Sequence, residues 1–399
     1  MNEPWRERPR AMLEIDRPER TIDPDVLRAP GGFAWWYAEV SDPAGNGVVL
    51  IWSFGLPFLP GYQAAALAGE APAARQRPSL NVAAYERGEP VCYVLREFDA
   101  DAASWEAGSD GETWRFGASR LQTRRPAKGP VQLEAELDLP IAGGGRLQAT
   151  FRLEGPAGRW AGPVRGVEGA GAVAGMAADD APGHRWTPVC GAAFATARVR
   201  CGDLRLAVSG RAYHDRNAAP WPLADLGIDR WLWGRAALPD RDRVFYALWP
   251  ETEDADAAPL VLGYELHADG RLEAVADLTM VTHGPHRTRW RMPSAHGFSL
   301  RGEDGAPFLE LRARHAVDDG PFYLRRLCDA TVDSRPVGHG TFESIVPRRI
   351  DLALHRPLVR MRVGRNDGGD SFWLPLFEGS KFDRLRRLLR LPNSTTEAA

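Results

Sequence analysis

Apolar and polar side chains alternate along much of this chain. Val131, Leu133, Ala135, Leu137 and Leu139 are separated by Gln132, Glu134, Glu136 and Asp138; after Gly143-Gly144-Gly145 the same period returns in Leu147, Ala149, Phe151 and Leu153. A period of two with one polar face predicts antiparallel sheet, packed on one side and wet on the other. Ala197, Val199 and Cys201, then Leu204, Leu206 and Val208, repeat it around Gly202-Asp203, a hairpin. Turn chemistry at 42–47 precedes a returning strand over 48–54, and Arg87-Gly88-Glu89-Pro90 separates the apolar runs 80–85 and 91–98. From Trp231 the hairpin style resumes, with Asp269-Gly270 and Asp304-Gly305 as turn markers.

Some stretches break the pattern. Trp35, Trp36 and Tyr37 are consecutive, and three large rings cannot share one face of a strand, so this segment is expected to be covered on both faces or to lie at a junction. Residues 155–182 are rich in Gly, Ala and Pro and read as a long loop. A Gly169-x-Gly171-x-x-Ala174 spacing falls there with no strand before it and no helix pattern after it, which makes it a poor dinucleotide fingerprint. Pro220 and Pro222 interrupt any ladder between 217 and 229, so the chain divides into an N-terminal arm (1–28), a first β domain (29–220), a second (221–380) and a tail (381–399). In the tail, Phe382, Leu385, Leu388 and Leu389 share one helical face among arginines. That helix either caps a barrel or docks residues 381–391 on a membrane surface.

Composition changes the picture in two respects. Gly 41 and Pro 32 of 399 residues demand frequent turning, which suits many short strands. A net charge of -3 gives no electrostatic footprint for nucleic acid, so no such partner is expected. Cys92, Cys190, Cys201 and Cys328 show neither metal-ligand nor disulfide-framework spacing, and residues 1–20 have no apolar signal core. No window approaches about eighteen consecutive apolar residues. These features predict a cytoplasmic protein, at most peripheral to the inner membrane through 381–391.

Familiar catalytic signatures are missing: no G-x-S-x-G elbow, P-loop or H-E-x-x-H occurs. His283, His286 and His296 lack a carboxylate or thiol at ligand spacing, so no metal site is expected. His339, between two glycines, reads as a turn residue. Two pairs stand out, His184/Trp186 and Tyr213/Asp215, each joining a titratable group and an aromatic ring at i, i+2 and hence on one strand face. In a regular strand Tyr213 and Asp215 lie opposite the apolar set of Leu204, Leu206 and Val208; a bulge at Gly210 is the alternative. Core aromatics and an Asp215-x-Asn217 turn remain the plainer reading of the same residues.

The segments Gly32-Phe33-Ala34-Trp35-Trp36-Tyr37, Gly183-His184-Arg185-Trp186-Thr187-Pro188 and Gly210-Arg211-Ala212-Tyr213-His214-Asp215-Arg216-Asn217 resemble the carotenoid 1,2-hydratase (hydroxyneurosporene synthase) family. Pro321-Phe322-Tyr323-Leu324-Arg325 and Arg360-Met361-Arg362-Val363 are similar to members of the same broad group, so the resemblance runs from about 30 to 380. It implies an all-β protein of two lipocalin-like antiparallel barrels with a short C-terminal helix. It also implies cofactor-free, metal-free addition of water to a terminal C=C of an acyclic carotenoid or similar hydrophobic polyene. On matching motif positions the catalytic residues become His184, Trp186, Tyr213 and Asp215. Asp215, its pKa raised by burial, is the candidate acid. Trp186 and Tyr213 would face the tertiary carbocation, and His184 would orient Asp215 or take the proton of the attacking water. Trp35, Trp36, Tyr37, His214 and Asn217 are expected to contact substrate. His214 stands where the family tends to have an aliphatic residue, and Ala212, Ala218 and Ala219 replace glycines, which points to a reshaped pocket. Two other functions stay open: a cyclase or isomerase, Diels–Alderase-like, of a polyketide or terpenoid natural product, similar to other members of the superfamily, and a non-catalytic lipocalin-like carrier of a hydrophobic ligand.

Overall fold

A computed structural model describes residues 13–127, 129–161, 184–251, 258–275, 277–365 and 369–384. Most of the 155–182 stretch, including its glycine spacing, and most of the tail helix lie outside them. The alternating runs become strands: β1 (Phe33–Ser41), β2 (Gly47–Phe54), β3 (Pro78–Glu86), β4 (Glu89–Glu97), β5 (Ala103–Gly108), β6 (Gly111–Phe116), β7 (Ser119–Arg124), β8 (Val131–Pro140), β9 (Arg146–Gly155), β10 (Arg185–Cys201) and β11 (Leu204–Ala219). They pair in the order β4-β3-β2-β1-β11-β10-β9-β8-β7-β6-β5. The only helices among the described residues are short, so the protein is all-β.

The first sheet curls around its own core. Trp36 stacks on Trp52 at 6.4 Å, and Trp105 and Trp114 from the far end of the sheet reach it at 5.9 and 5.1 Å. A second sheet is built from β12 (Ile228–Ala237), β13 (Arg241–Pro250), β14 (Leu260–His267), β15 (Arg271–Val275), β16 (Thr279–His283), β17 (Gly297–Arg301), β18 (Pro307–Asp319), β19 (Tyr323–Val332) and β20 (Arg335–Ile345), in the order β15-β14-β13-β12-β20-β19-β18-β17-β16. Its own core centres on Phe245, Phe298, Leu311 and Phe342.

A third apolar cluster lies between the sheets and joins Phe33, Tyr37, Trp186 and Tyr213 of the first to Trp231, Trp233, Tyr246 and Ile345 of the second. Charge locks this interface. Glu39 on β1 accepts hydrogen bonds from Tyr37, from Arg235 at 2.7 Å and from Arg325, all buried. Arg235 also pairs with Asp242, which accepts from Arg211 and from the backbone N–H of Ala192 in the first sheet. The sheets exchange strands as well. Arg159–Trp160 adds to β15 of the second sheet, while Gly364–Arg365 and Gly379–Ser380 pair with β4 of the first.

Candidate active site

β11 is the central strand of the first sheet and is regular through Gly210. Its inward residues keep one parity, with Val208 and Ala212 in the first core, so Tyr213, Asp215 and Asn217 face outward. The alternative of a bulge at Gly210 is not realised; two one-residue shifts fall instead on the partner strand β10, between Pro188 and Ala193. A pair of shifts restores the parity of β10, so its faces are not exchanged. Gly210 serves close approach: a Cβ there would stand 2.2 Å from the carbonyl oxygen of Ser41.

At the end of this ladder Trp186 sits opposite Asn217. Its side chain reaches one diagonal step to Asp215, and His184 makes the same step to Asn217, a contact antiparallel pairing allows. Trp186 Nε1 donates to Asp215 Oδ2 at 2.8 Å, and the Tyr213 hydroxyl donates to the same oxygen at 2.9 Å. Asn217 Nδ2 donates to Asp215 Oδ1 at 3.2 Å, and His184 Nε2 lies 2.9 Å from Asn217 Oδ1. Because the amide nitrogen of Asn217 is committed to the carboxyl, its oxygen must accept, which assigns the proton of His184 to Nε2.

Asp215 is only 2% exposed, and burial pushes its carboxyl up to about 7 against the hydrogen bonds from Trp186 and Tyr213. The charges of Glu343 and Glu39 push in the same direction. Burial drives His184 down to about 4, so its ring is neutral. It sits among rings, with Trp35 at 5.3 Å, Phe33 at 5.8 Å and Trp231 at 6.3 Å.

The group opens on a largely apolar cavity of about 210 Å³ between the sheets, whose wall includes Asp215, Asn217 and His184. The floor crosses the first sheet from Asp215 on β11 through Tyr37, Ile51 and Asn81 to Leu95 on β4. That is four interstrand steps, roughly 19 Å at the usual strand spacing. Trp231, Trp233, Tyr246 and Phe322 roof it from the second sheet and its loops.

The structure therefore brings Asp215, His184, Asn217, Trp35 and Tyr37 to one cavity. Trp186 and Tyr213 stand behind Asp215 and bond to it rather than lining the wall. Trp36 and His214, both expected at the substrate, lie on the opposite face. Trp36 belongs to the core of the first sheet, and His214 stacks on Trp52 at 5.7 Å with its Nδ1 2.7 Å from the carbonyl of Tyr37. Strand alternation is the reason: residues adjacent to Tyr37 and Asp215 must point the other way. Sequence reasoning missed the second sheet's share, Trp231, Trp233, Tyr246, Arg325 and Glu343. The one available signal was Trp231-x-Trp233, two rings at the same spacing that singled out His184-x-Trp186.

No helix among the described residues is long and apolar enough to cross a membrane. Residues 381–384 lie against the Gly202 hairpin, where Asp383 accepts from the Asp203 backbone; the rest of the 381–391 segment falls outside the described residues. His286 stacks on His296 at 4.7 Å, while His283 bonds to Ser299. Glu265, His267 and Glu273 cluster closely enough to suggest a cation, yet Arg241, Arg243 and Arg271 already pair with the two carboxylates.

Fold and site together define a lipocalin-like, two-sheet protein with an acid group in the wall of an apolar cavity, equipment suited to an enzyme acting on a hydrophobic molecule. Residues 155–371 match the family described as carotenoid hydratase CrtC, and the chain belongs to that family, among the hydratases of carotenoids. A relative from Chlorobaculum tepidum, named as a hydroxyneurosporene dehydrogenase, is 27% identical over 382 residues, covering 91% of this chain and 96% of its own. Among solved structures, an AttH-type protein from Nitrosomonas europaea superposes with a TM-score of 0.52 at 17% identity, over 79% of this chain and 92% of that one. CghA, solved with Sch210972, gives 0.53 at 11% identity, over 83% and 95%. At such identities these two speak for the fold alone.

Proposed function

We propose that this protein adds water to a terminal trisubstituted C=C of an acyclic carotenoid, with Asp215 as the acid. The observation that carries the reading is a buried carboxyl, held near neutrality, in the wall of an apolar slot. Protonating an isolated alkene needs an acid that is still protonated at working pH, and burial supplies one. Both lone pairs of Oδ2 are taken by Trp186 and Tyr213, whereas Oδ1 accepts only from Asn217. The acidic proton therefore sits on Oδ1. It passes to the CH carbon of the double bond, leaving a tertiary cation; water then bonds to that cation and loses a proton. Proton and oxygen both come from Asp215 and water, so the balance closes without an oxidant or reductant.

In this reading the other roles divide differently. Trp186 and Tyr213 orient Asp215, and the rings that can face the cation are those of the wall, among them Trp35, Trp231, Trp233 and Tyr246. Each such contact is worth on the order of 1–2 kcal/mol when dry. His184 holds Asn217 in the orientation that serves Asp215. The cavity volume falls below the roughly 300–1,000 Å³ of pockets that enclose a drug-sized ligand, so it suits the end of an extended chain. Incubation with an acyclic carotenoid in water enriched in heavy oxygen tests the reading. Label in an alcohol product is expected; an unlabelled isomer would mean cyclisation, and recovery of bound, unchanged polyene would mean carriage.

A further inference from the structure

Addition of proton and water to opposite faces of the double bond needs a second proton acceptor, because the Asp215 carboxylate then stands on the face away from the water. Once Asp215 has given its proton to carbon, the water that captures the cation must lose one, and the obvious neighbour is poorly suited to take it. His184 has its Nε2–H committed to Asn217, and burial makes its ring a weak base. A different group faces the same space from the other sheet. Glu343 lies on β20, paired across the ladder with Trp233 on β12 and Arg325 on β19. Phe342 beside it enters the core of the second sheet, so Glu343 and Ile345 turn toward the cavity, whose wall they share with Asp215.

We propose that Glu343 is the catalytic residue that holds the incoming water and takes its proton, acting from the second sheet opposite Asp215 on the first. This rests on the hydratase reading above. Arg325 Nη1 donates to Glu343 Oε1 at 2.6 Å, and the Tyr323 hydroxyl also bonds to the carboxylate. Arg325 is shared with Glu39, so it fixes the carboxylate without depending on it for its only partner. Burial raises Glu343 above the usual glutamate range, helped by the charges of Glu39 and Asp318 and opposed by Arg325, which strengthens it as a base. In the step itself the water oxygen bonds to the tertiary carbon and its proton moves to Glu343. That proton returns to Asp215 through cavity water, restoring both groups.

The two carboxyl groups make separable predictions, because the cation has two exits: capture by water, or loss of a proton back to alkene. In heavy water the second exit leaves deuterium in recovered substrate. The wild type, Glu343→Gln, Glu343→Asp and Asp215→Asn proteins are incubated with an acyclic carotenoid in deuterium oxide, with folding checked by circular dichroism. Glu343→Gln is expected to form alcohol about 100-fold more slowly, the size of a general-base contribution. It should still wash deuterium into the alkene within a few-fold of the wild-type rate. Glu343→Asp should recover part of the alcohol, and Asp215→Asn should lose both products. An exchange-to-hydration ratio in Glu343→Gln equal to that of the wild type would overturn the assignment and leave Glu343 a structural partner of Arg325. If the wild type gives neither alcohol nor exchange, the hydratase reading itself falls.

Discussion

Trp36 and Tyr37 are neighbours in the chain but wall two different spaces. Trp36 points into the first sheet, where Trp52, Trp114 and Phe116 fill the interior. Tyr37 points out of it, into a cleft that the second sheet roofs but does not fill. His214 and Asp215 repeat the division on β11: one stacks on Trp52 in the solid interior, the other lines the hollow. Small lipocalin-type barrels keep a ligand inside the barrel. Here tryptophan occupies that volume, and the space for a ligand has moved to the outer face of the same strands. A site in the cleft needs both sheets, one to bring the acid and the other to bring the roof.

Substitutions on either side of the shared strands should separate the two spaces. The largest expected effect is on the hollow side: Asp215→Asn should lower hydration about 10²- to 10⁴-fold, measured as alcohol formed by protein that remains folded. On the solid side Trp36→Ala should cost about 3–5 kcal/mol of stability and leave KM unchanged. Trp233→Ala, in the roof, should raise KM instead. Equal KM changes in both proteins would show that the two spaces are not distinct.

Acid and stability are linked through the same carboxyl. With its folded pKa raised to about 7, Asp215 holds its proton in the native state at pH values where the unfolded chain has released it. Its contribution to stability is therefore fully present below about pH 4 and is lost as pH rises to about 7, by up to 1.4 kcal/mol per unit. Thermal melts across that window should show a shallower fall for Asp215→Asn than for the wild type. Activity should fall as pH rises through about 7, because the reactive form is the protonated one. The smallest effect belongs to His214→Leu. Loss of its hydrogen bond to the Tyr37 carbonyl should cost roughly 1 kcal/mol, with kcat and KM unmoved because the ring never meets the cavity.

The alternating runs and glycine turns were legible because strand period and turn chemistry are local. The three consecutive aromatics announced a segment covered on both faces, and parity alone set Tyr213 and Asp215 opposite Leu204, Leu206 and Val208. Parity says which residues share a face but not which face meets a ligand. For that reason Trp36 and His214 were expected at the substrate and lie in the core instead. The place of Glu343 was illegible for a related reason: it shares a cavity with Asp215 only through the docking of one sheet on another, and no local pattern records that meeting. The bulges fell on β10 rather than at Gly210, since a glycine serves close approach as readily as a bulge.

The exchange of short strands between the sheets bears on how such a chain can be cut. Gly364–Arg365 and Gly379–Ser380 occupy the outer edge of β4, and Arg159–Trp160 extends the second sheet at β15. An uncovered sheet edge is a template for another molecule. A fragment ending near residue 220 would expose the edge of β4 and leave the outer face of β11, with Tyr213 and Asp215, without its roof, inviting self-association between copies. The last described strands thus act as a stopper on the first sheet, and the halves of this protein are better recombined as whole chains than expressed apart.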